Sequence, residues 1–145
     1  MYYALLFTHS YLRYIILVLL VVVIFTALLG TINKRPYTNG DNKLGLSLFI
    51  CTHLQLLIGL VLFFVSPVVQ FSSDAMKDDT TRYWLVEHST AMLIAIVFIT
   101  LARTTSKKMT DGPAKHRRMF IFNLIALVII VVAISISGRD FLLFR

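Results

Sequence analysis

Charge is what this sequence has least of. Only 14% of its 145 residues are charged, against 58% hydrophobic, and the mean hydropathy is +0.82. Soluble domains carry about a quarter charged residues, so a chain this poor in them cannot readily clothe a water-facing surface. Cysteine is nearly absent as well. Cys51 stands alone inside an apolar run, which excludes an internal disulfide and a multi-cysteine metal site. The sequence has no Gly-rich phosphate loop, no zincin motif and no Ser-His-Asp order. The opening apolar run is too long for a cleavable signal peptide and lacks the basic segment that precedes one, so it is expected to remain as a span.

What the chain has is long apolar runs. A membrane-crossing helix needs about 20 mostly apolar residues. Four stretches qualify, at about 3–32, 44–69, 83–102 and 119–137, and they make up a single domain over 1–145. Between the first two, Pro36, Asn39-Gly40 and Asp41 read as a turn followed by a helix cap. Ser66-Pro67 ends or kinks the second run, and Asp111-Gly112-Pro113 marks the start of the fourth. Short connections favour antiparallel neighbours. The predicted fold is therefore an all-α, integral membrane four-helix bundle running up-down-up-down.

The basic residues orient it. Lys34, Arg35 and Lys43 lie in the first connection, and Arg103, Lys107, Lys108, Lys115, Arg117 and Arg118 in the third. On the other side stand only Lys77 and Arg82 of the second connection and Arg139 and Arg145 of the C-terminal tail. Nine against four places connections one and three in the cytoplasm and both termini outside, in the periplasm. The net charge of +7 is thus a topology signal and a contact with anionic lipid rather than a nucleic-acid footprint. Tyr2, Tyr3, Tyr83 and Trp84 fall where an aromatic belt is expected at the outer interface. The acidic stretch 74–79 reads as a solvated outer loop.

Ionisable groups inside a span are costly, and each is a functional candidate by default. Here they are His9, Arg13, His53, Glu87 and His88. His116, among Lys115, Arg117 and Arg118, reads instead as part of a solvated basic helix end. At about 1.5 Å per residue, His9 lies on the order of 12 Å outward of its span's midpoint and His88 on the order of 8 Å outward, while His53 lies on the order of 5 Å toward the cytoplasm. His9 and His88 are closest in depth, and their helices are diagonal in an up-down-up-down bundle. Two histidines facing each other at one level are what a six-coordinate haem b requires.

The neighbours fit in part. Trp84, His88, Ala91, Ala95 and Ala102 share one face of the third span at helical spacing, leaving room for a flat macrocycle. Arg13 lies one turn below His9, positioned for a haem propionate or for an ion pair with Glu87. Small faces also serve simple helix packing, and the fourth span has one in Asn123, Ala126, Ala133 and Ser137. His53 points away from the small, polar face that Thr52, Gln55, Gly59 and Ser66 form on the second span, so it faces a neighbouring helix or pairs with His88 if that helix shifts outward. The spread in depth argues against a three-histidine copper or zinc site.

The stretches His9-Ser-Tyr-Leu-Arg13-Tyr14, Thr52-His53-Leu-Gln55-Leu-Leu-Ile-Gly59, Arg82-Tyr-Trp84-Leu-Val-Glu87-His88 and Lys115-His116-Arg117-Arg118 resemble a family of small four-span membrane proteins of Bacteroidota commonly labelled cytochrome b. The resemblance covers nearly the whole chain. It implies haem b and a bacterial inner membrane, and leaves open which histidines are ligands. The expectation is a b-type cytochrome moving electrons within the membrane, with a quinone or a periplasmic carrier as partner. The alternative is a non-catalytic accessory or scaffold subunit of a larger membrane complex, or a homo-oligomer, with the polar residues structural. A transporter would show repeats or broken spans.

Overall fold

The computed structural model describes residues 1–138; Arg139 and Arg145, counted above with the C-terminal tail, lie outside the described residues. Among the described residues the chain is all-helical, with four helices long and apolar enough to cross a membrane. They are α1 (Tyr2–Ile32), α2 (Asn39–Val65), α3 (Asp79–Ser106) and α4 (Gly112–Ile136). A 3₁₀ turn, Ser73–Met76, lies between α2 and α3.

Three of the helices start on side-chain caps, and these explain where the helices depart from the apolar runs. Thr38 and Asp41 form a reciprocal capping box at the head of α2, with Thr38 N–H donating to Asp41 at 2.9 Å and Asp41 N–H donating to the Thr38 hydroxyl at 3.3 Å. Asp78 caps α3 by accepting from Thr81 N–H at 2.8 Å, and Asp111 caps α4 by accepting from Ala114 N–H at 2.9 Å, ahead of Pro113 in the first turn. The first turns of α2, α3 and α4 are therefore helical although too polar to belong to an apolar run. α2 begins at Asn39 rather than 44, α3 at Asp79 rather than 83, and α4 at Gly112 rather than 119. At its far end α2 stops at Val65, because Ser66 takes an extended conformation before Pro67.

The helices pack antiparallel. α1 lies against α2 and α4, α3 lies against α4, and α2 touches α3 only lightly, so α1 and α3 are diagonal. The core is built from Leu20, Ala27, Ile99, Ala102, Ala126 and Ile130, all buried. Ala95, Ala102, Ala126 and Ala133 are buried on α3 and α4, where small side chains let the two backbones approach closely. The outward faces are apolar too: Val18, Phe25, Leu57, Phe64, Val97 and Val128 are all exposed. That is a surface suited to hydrocarbon rather than to water.

The basic end, where connections one and three meet, corrects one expectation. His116 is not a solvated helix end: it is 1% exposed. Its Nε2 lies 3.3 Å from the Pro36 carbonyl, which can only accept, so Nε2 carries the donated proton. The same nitrogen is 3.9 Å from Asp41, and the ring leans on Tyr37 with centroids 5.0 Å apart. The space for it comes from α1. A Cβ placed on Gly30 would come within 2.5 to 2.6 Å of three His116 ring atoms. Gly30→Ala should therefore push out the imidazole that ties α4 to the first connection. The expected loss is about 1–3 kcal/mol, the usual cost of overpacking, read as a lower thermal unfolding midpoint in detergent; an unchanged midpoint would show that His116 has room to move.

Candidate functional site

The end that holds the N-terminus gathers most of the costly polar groups. Here α3 is not a regular α-helix. Residues Tyr83–Glu87 form a π turn, in which the His88 backbone N–H donates to the Tyr83 carbonyl five residues back. The Ser89 hydroxyl donates to the Trp84 carbonyl, also five residues back, at 3.2 Å. A π turn inserts a residue into the helical phase, and such turns gather at functional sites. It turns His88 relative to the residues before it. Tyr83 is buried and donates its hydroxyl to the Ala133 carbonyl on α4 at 2.6 Å, which fixes the turn against the bundle. Trp84 and Tyr83 then flank His88, with ring centroids 5.0 and 5.9 Å from its imidazole.

Across the bundle axis, α1 brings His9 to the same level. The His9 and His88 ring centroids are 6.5 Å apart and the rings are inclined by 64°. Two imidazoles bound on opposite sides of one metal ion, each through a nitrogen about 2.0 Å away, have ring centres roughly 6.3 Å apart. The observed centroid separation is close to that value. α2 holds the other side of His9. Gln55 donates to the His9 carbonyl at 2.9 Å, and a Cβ on Gly59 would lie 3.2 Å from His9 Cε1. α2 and α3 touch only lightly.

Several polar atoms around this pair are buried with no hydrogen-bond partner: His9 Nδ1, Arg13 Nε, Thr52 Oγ1 and Gln55 Oε1. Buried polar groups are nearly always paired, so these four leave hydrogen-bonding capacity unused on facing stretches of α1 and α2. Arg13 carries the largest cost. Its Nη2 donates to the Tyr14 hydroxyl at 2.9 Å and its guanidinium lies 4.7 Å from the Tyr14 ring centre, but no carboxylate pairs with it among the described residues. The ion pair considered for Arg13 and Glu87 is not formed. Glu87 is exposed and accepts from Arg82 Nε at 3.2 Å, because the π turn carries it out of the bundle. The donor set is thus two imidazoles on diagonal helices and a guanidinium with no carboxylate partner among the described residues, a chemistry compatible with a haem b and its propionates.

His53 stands apart. Its Nδ1 donates to the Phe49 carbonyl at 2.8 Å, one turn back on its own helix, and its ring stacks near Phe49 with centroids 4.1 Å apart. No cluster of three or more His, Cys, Asp or Glu suited to a metal ion is found among the described residues.

Residue spacing gave no sign of a second polar centre at the basic end. Arg103, counted above only as a topology residue, is 7% exposed. Asp41 accepts from Arg35 at 2.8 and 3.0 Å and belongs to the capping box. Basic residues at helix ends carry no sequence mark of burial; the Gly30 and Gly45 positions that make room for His116 and Arg103 were the available signal. No protein-family model, curated protein or solved structure matches the chain.

The seating of His9 against Gly59 is testable. Gly59→Val should lower the thermal midpoint by an amount equivalent to about 1–3 kcal/mol. In a His9→Ala background most of that penalty should vanish, since the two residues touch. Equal penalties in both backgrounds would place His9 elsewhere.

Proposed function

We propose that the chain is a multi-pass protein of a bacterial inner membrane, with both termini outside and connections one and three in the cytoplasm, and that it is a b-type cytochrome. The observation that carries this reading is the His9–His88 pair, on diagonal helices with ring centroids 6.5 Å apart. The resemblance to the family labelled cytochrome b points the same way. When bound, haem b would supply reversible one-electron transfer. The protein's own part is to hold and shield. His9 and His88 would hold the haem through their imidazoles. Arg13, half-buried on α1 and without a carboxylate partner among the described residues, would offer its guanidinium to a propionate. Trp84 and Tyr83 cover His88 and keep water from it. Because the pair lies toward the end assigned to the outside, a quinol at the membrane interface or a periplasmic carrier is the natural electron partner.

Reduced-minus-oxidised spectra of the purified chain, expressed with haem precursor supplied, test the reading. The expected result is the paired Soret and α bands of a six-coordinate haem b. They should be lost in His9→Ala and His88→Ala and kept in His53→Ala. A wild type with no such bands would leave an accessory or scaffold subunit as the reading, and loss on His53→Ala would move the site inward.

The orientation has its own test. In a Cys51→Ser background, a membrane-impermeant maleimide added to intact spheroplasts should label Met76→Cys, and should label Lys108→Cys only after permeabilisation. The reverse pattern would invert the topology.

A further inference from the structure

The basic end holds a cavity of about 220 Å³, open on one side, between the first turn of α2, the last turn of α3 and the first turn of α4. Arg103, Lys107 and Lys115 contribute to its wall, with Thr38, Asn42 and Ser106 beside them, and no carboxylate lines it among the described residues. Tyr37 and Asn39 also line it. Burial and the neighbouring Asp41 push the Tyr37 phenol upward, so it adds no negative charge.

Arg103 is the unusual member. It is 7% exposed, yet no carboxylate pairs with it among the described residues. Its Nη1 reaches the Asn42 backbone carbonyl at 3.3 Å and the Asn42 side-chain oxygen at 3.5 Å, and its guanidinium carbon lies 6.0 Å from the Phe49 ring centre, at the outer limit of a cation–π contact. These are neutral partners at long range. A buried charge without a counter-ion is strongly unfavourable. The nearby carboxylate that could serve, Asp41, is held by a bidentate contact with Arg35 and by the capping box. The position is nevertheless built for Arg103. A Cβ on Gly45 would lie 3.4 Å from its Nη1 and 3.6 Å from the Tyr37 hydroxyl. Lys115 is held over the Tyr37 ring at 5.4 Å, beside the same opening.

We propose that this cavity binds a phosphate group, with the Arg103 guanidinium as its buried counter-charge and Lys107 and Lys115 closing over it. Guanidinium and ammonium groups together match phosphate, the first as a planar fork and the second as a mobile point charge. Two sources share that chemistry: the headgroup phosphate of an anionic phospholipid, favoured by the position of the cavity where apolar helix gives way to basic connection, and free phosphate from the aqueous side. The site lies at the opposite end of the bundle from His9 and His88, so it stands or falls apart from the haem reading.

The test uses the purified full chain in a neutral detergent. Its thermal midpoint is followed on titration with short-chain phosphatidylglycerol, with phosphatidylcholine of the same chain length, and with inorganic phosphate against chloride at equal ionic strength. A ligand that binds only the folded state raises the midpoint in proportion to its saturation. A saturable rise with phosphatidylglycerol alone supports the site and identifies its source as lipid. A rise with inorganic phosphate supports the site with a soluble source. In Lys107→Gln/Lys115→Gln, whose exchanged side chains sit at the rim, the half-saturating concentration should increase about tenfold or more, the order expected for two lost basic contacts. Arg103→Gln should abolish the response; should that variant fail to fold, the rim variant still decides. No response to either phosphate probe, an equal response to phosphatidylcholine, or an unchanged half-saturation in the rim variant would overturn the proposal.

Discussion

Four helices long and apolar enough to cross a membrane impose one constraint ahead of all others, the scarcity of water around them. Inside hydrocarbon every backbone amide needs an internal partner, which restricts the chain to helices. It also raises the cost of each unpaired charge. The protein carries two guanidinium groups that meet this constraint poorly. Arg13 lies in α1 and Arg103 at the end of α3, and neither has a carboxylate partner among the described residues. Among the described residues the carboxylates are engaged elsewhere, Asp74 with Lys77. Asp41 holds Arg35, Glu87 and Asp79 hold Arg82, and Asp78 and Asp111 cap helices. Each such guanidinium sits beside a further feature: the histidine pair and orphaned polar atoms in one case, the basic cavity in the other.

The two centres are held by different means. At the end with the N-terminus, position comes from an irregularity, the π turn over Tyr83–Glu87, which Tyr83 pins to the Ala133 carbonyl. At the basic end, position comes from missing side chains. Gly30 admits His116 and Gly45 admits Arg103, so that polar groups enter a region packed closely enough to hold them. In both places a small residue on one helix fixes a large polar residue on another: Gly59 for His9, Gly30 for His116, Gly45 for Arg103. Small residues therefore serve here to seat side chains as well as to bring backbones together.

This division decides which parts of the sequence could be read. The four helices were legible because a hydrophobic run of that length matches the thickness of a bilayer and little else. Their polar first turns were not, since a cap such as Thr38 or Asp111 is helical by geometry and hydrophilic by composition. The diagonal placement of α1 and α3 followed from short connections, and the histidines' similar depths followed from the rise per residue. The orientation of His88 did not follow, because an α-helical wheel has no place for the residue that the π turn inserts. His116 was misjudged, and the burial of Arg103 went unforeseen, for a common reason. In a basic segment, the one side chain that turns inward looks like its solvated neighbours.

The sequence by itself determined that the chain forms apolar helices, how many, in what order, and that ionisable groups cluster on particular stretches of them. These are consequences of composition and of helical rise, which act residue by residue. Only the tertiary structure decided that His9 and His88 stand 6.5 Å apart, that Glu87 turns to Arg82 and leaves Arg13 unpaired, and that Arg103 lies buried beside a cavity without an acid. Those facts depend on the rotation of each helix about its own axis. That rotation is set by which small residue meets which large one across an interface, and this is a property of pairs that no single segment contains.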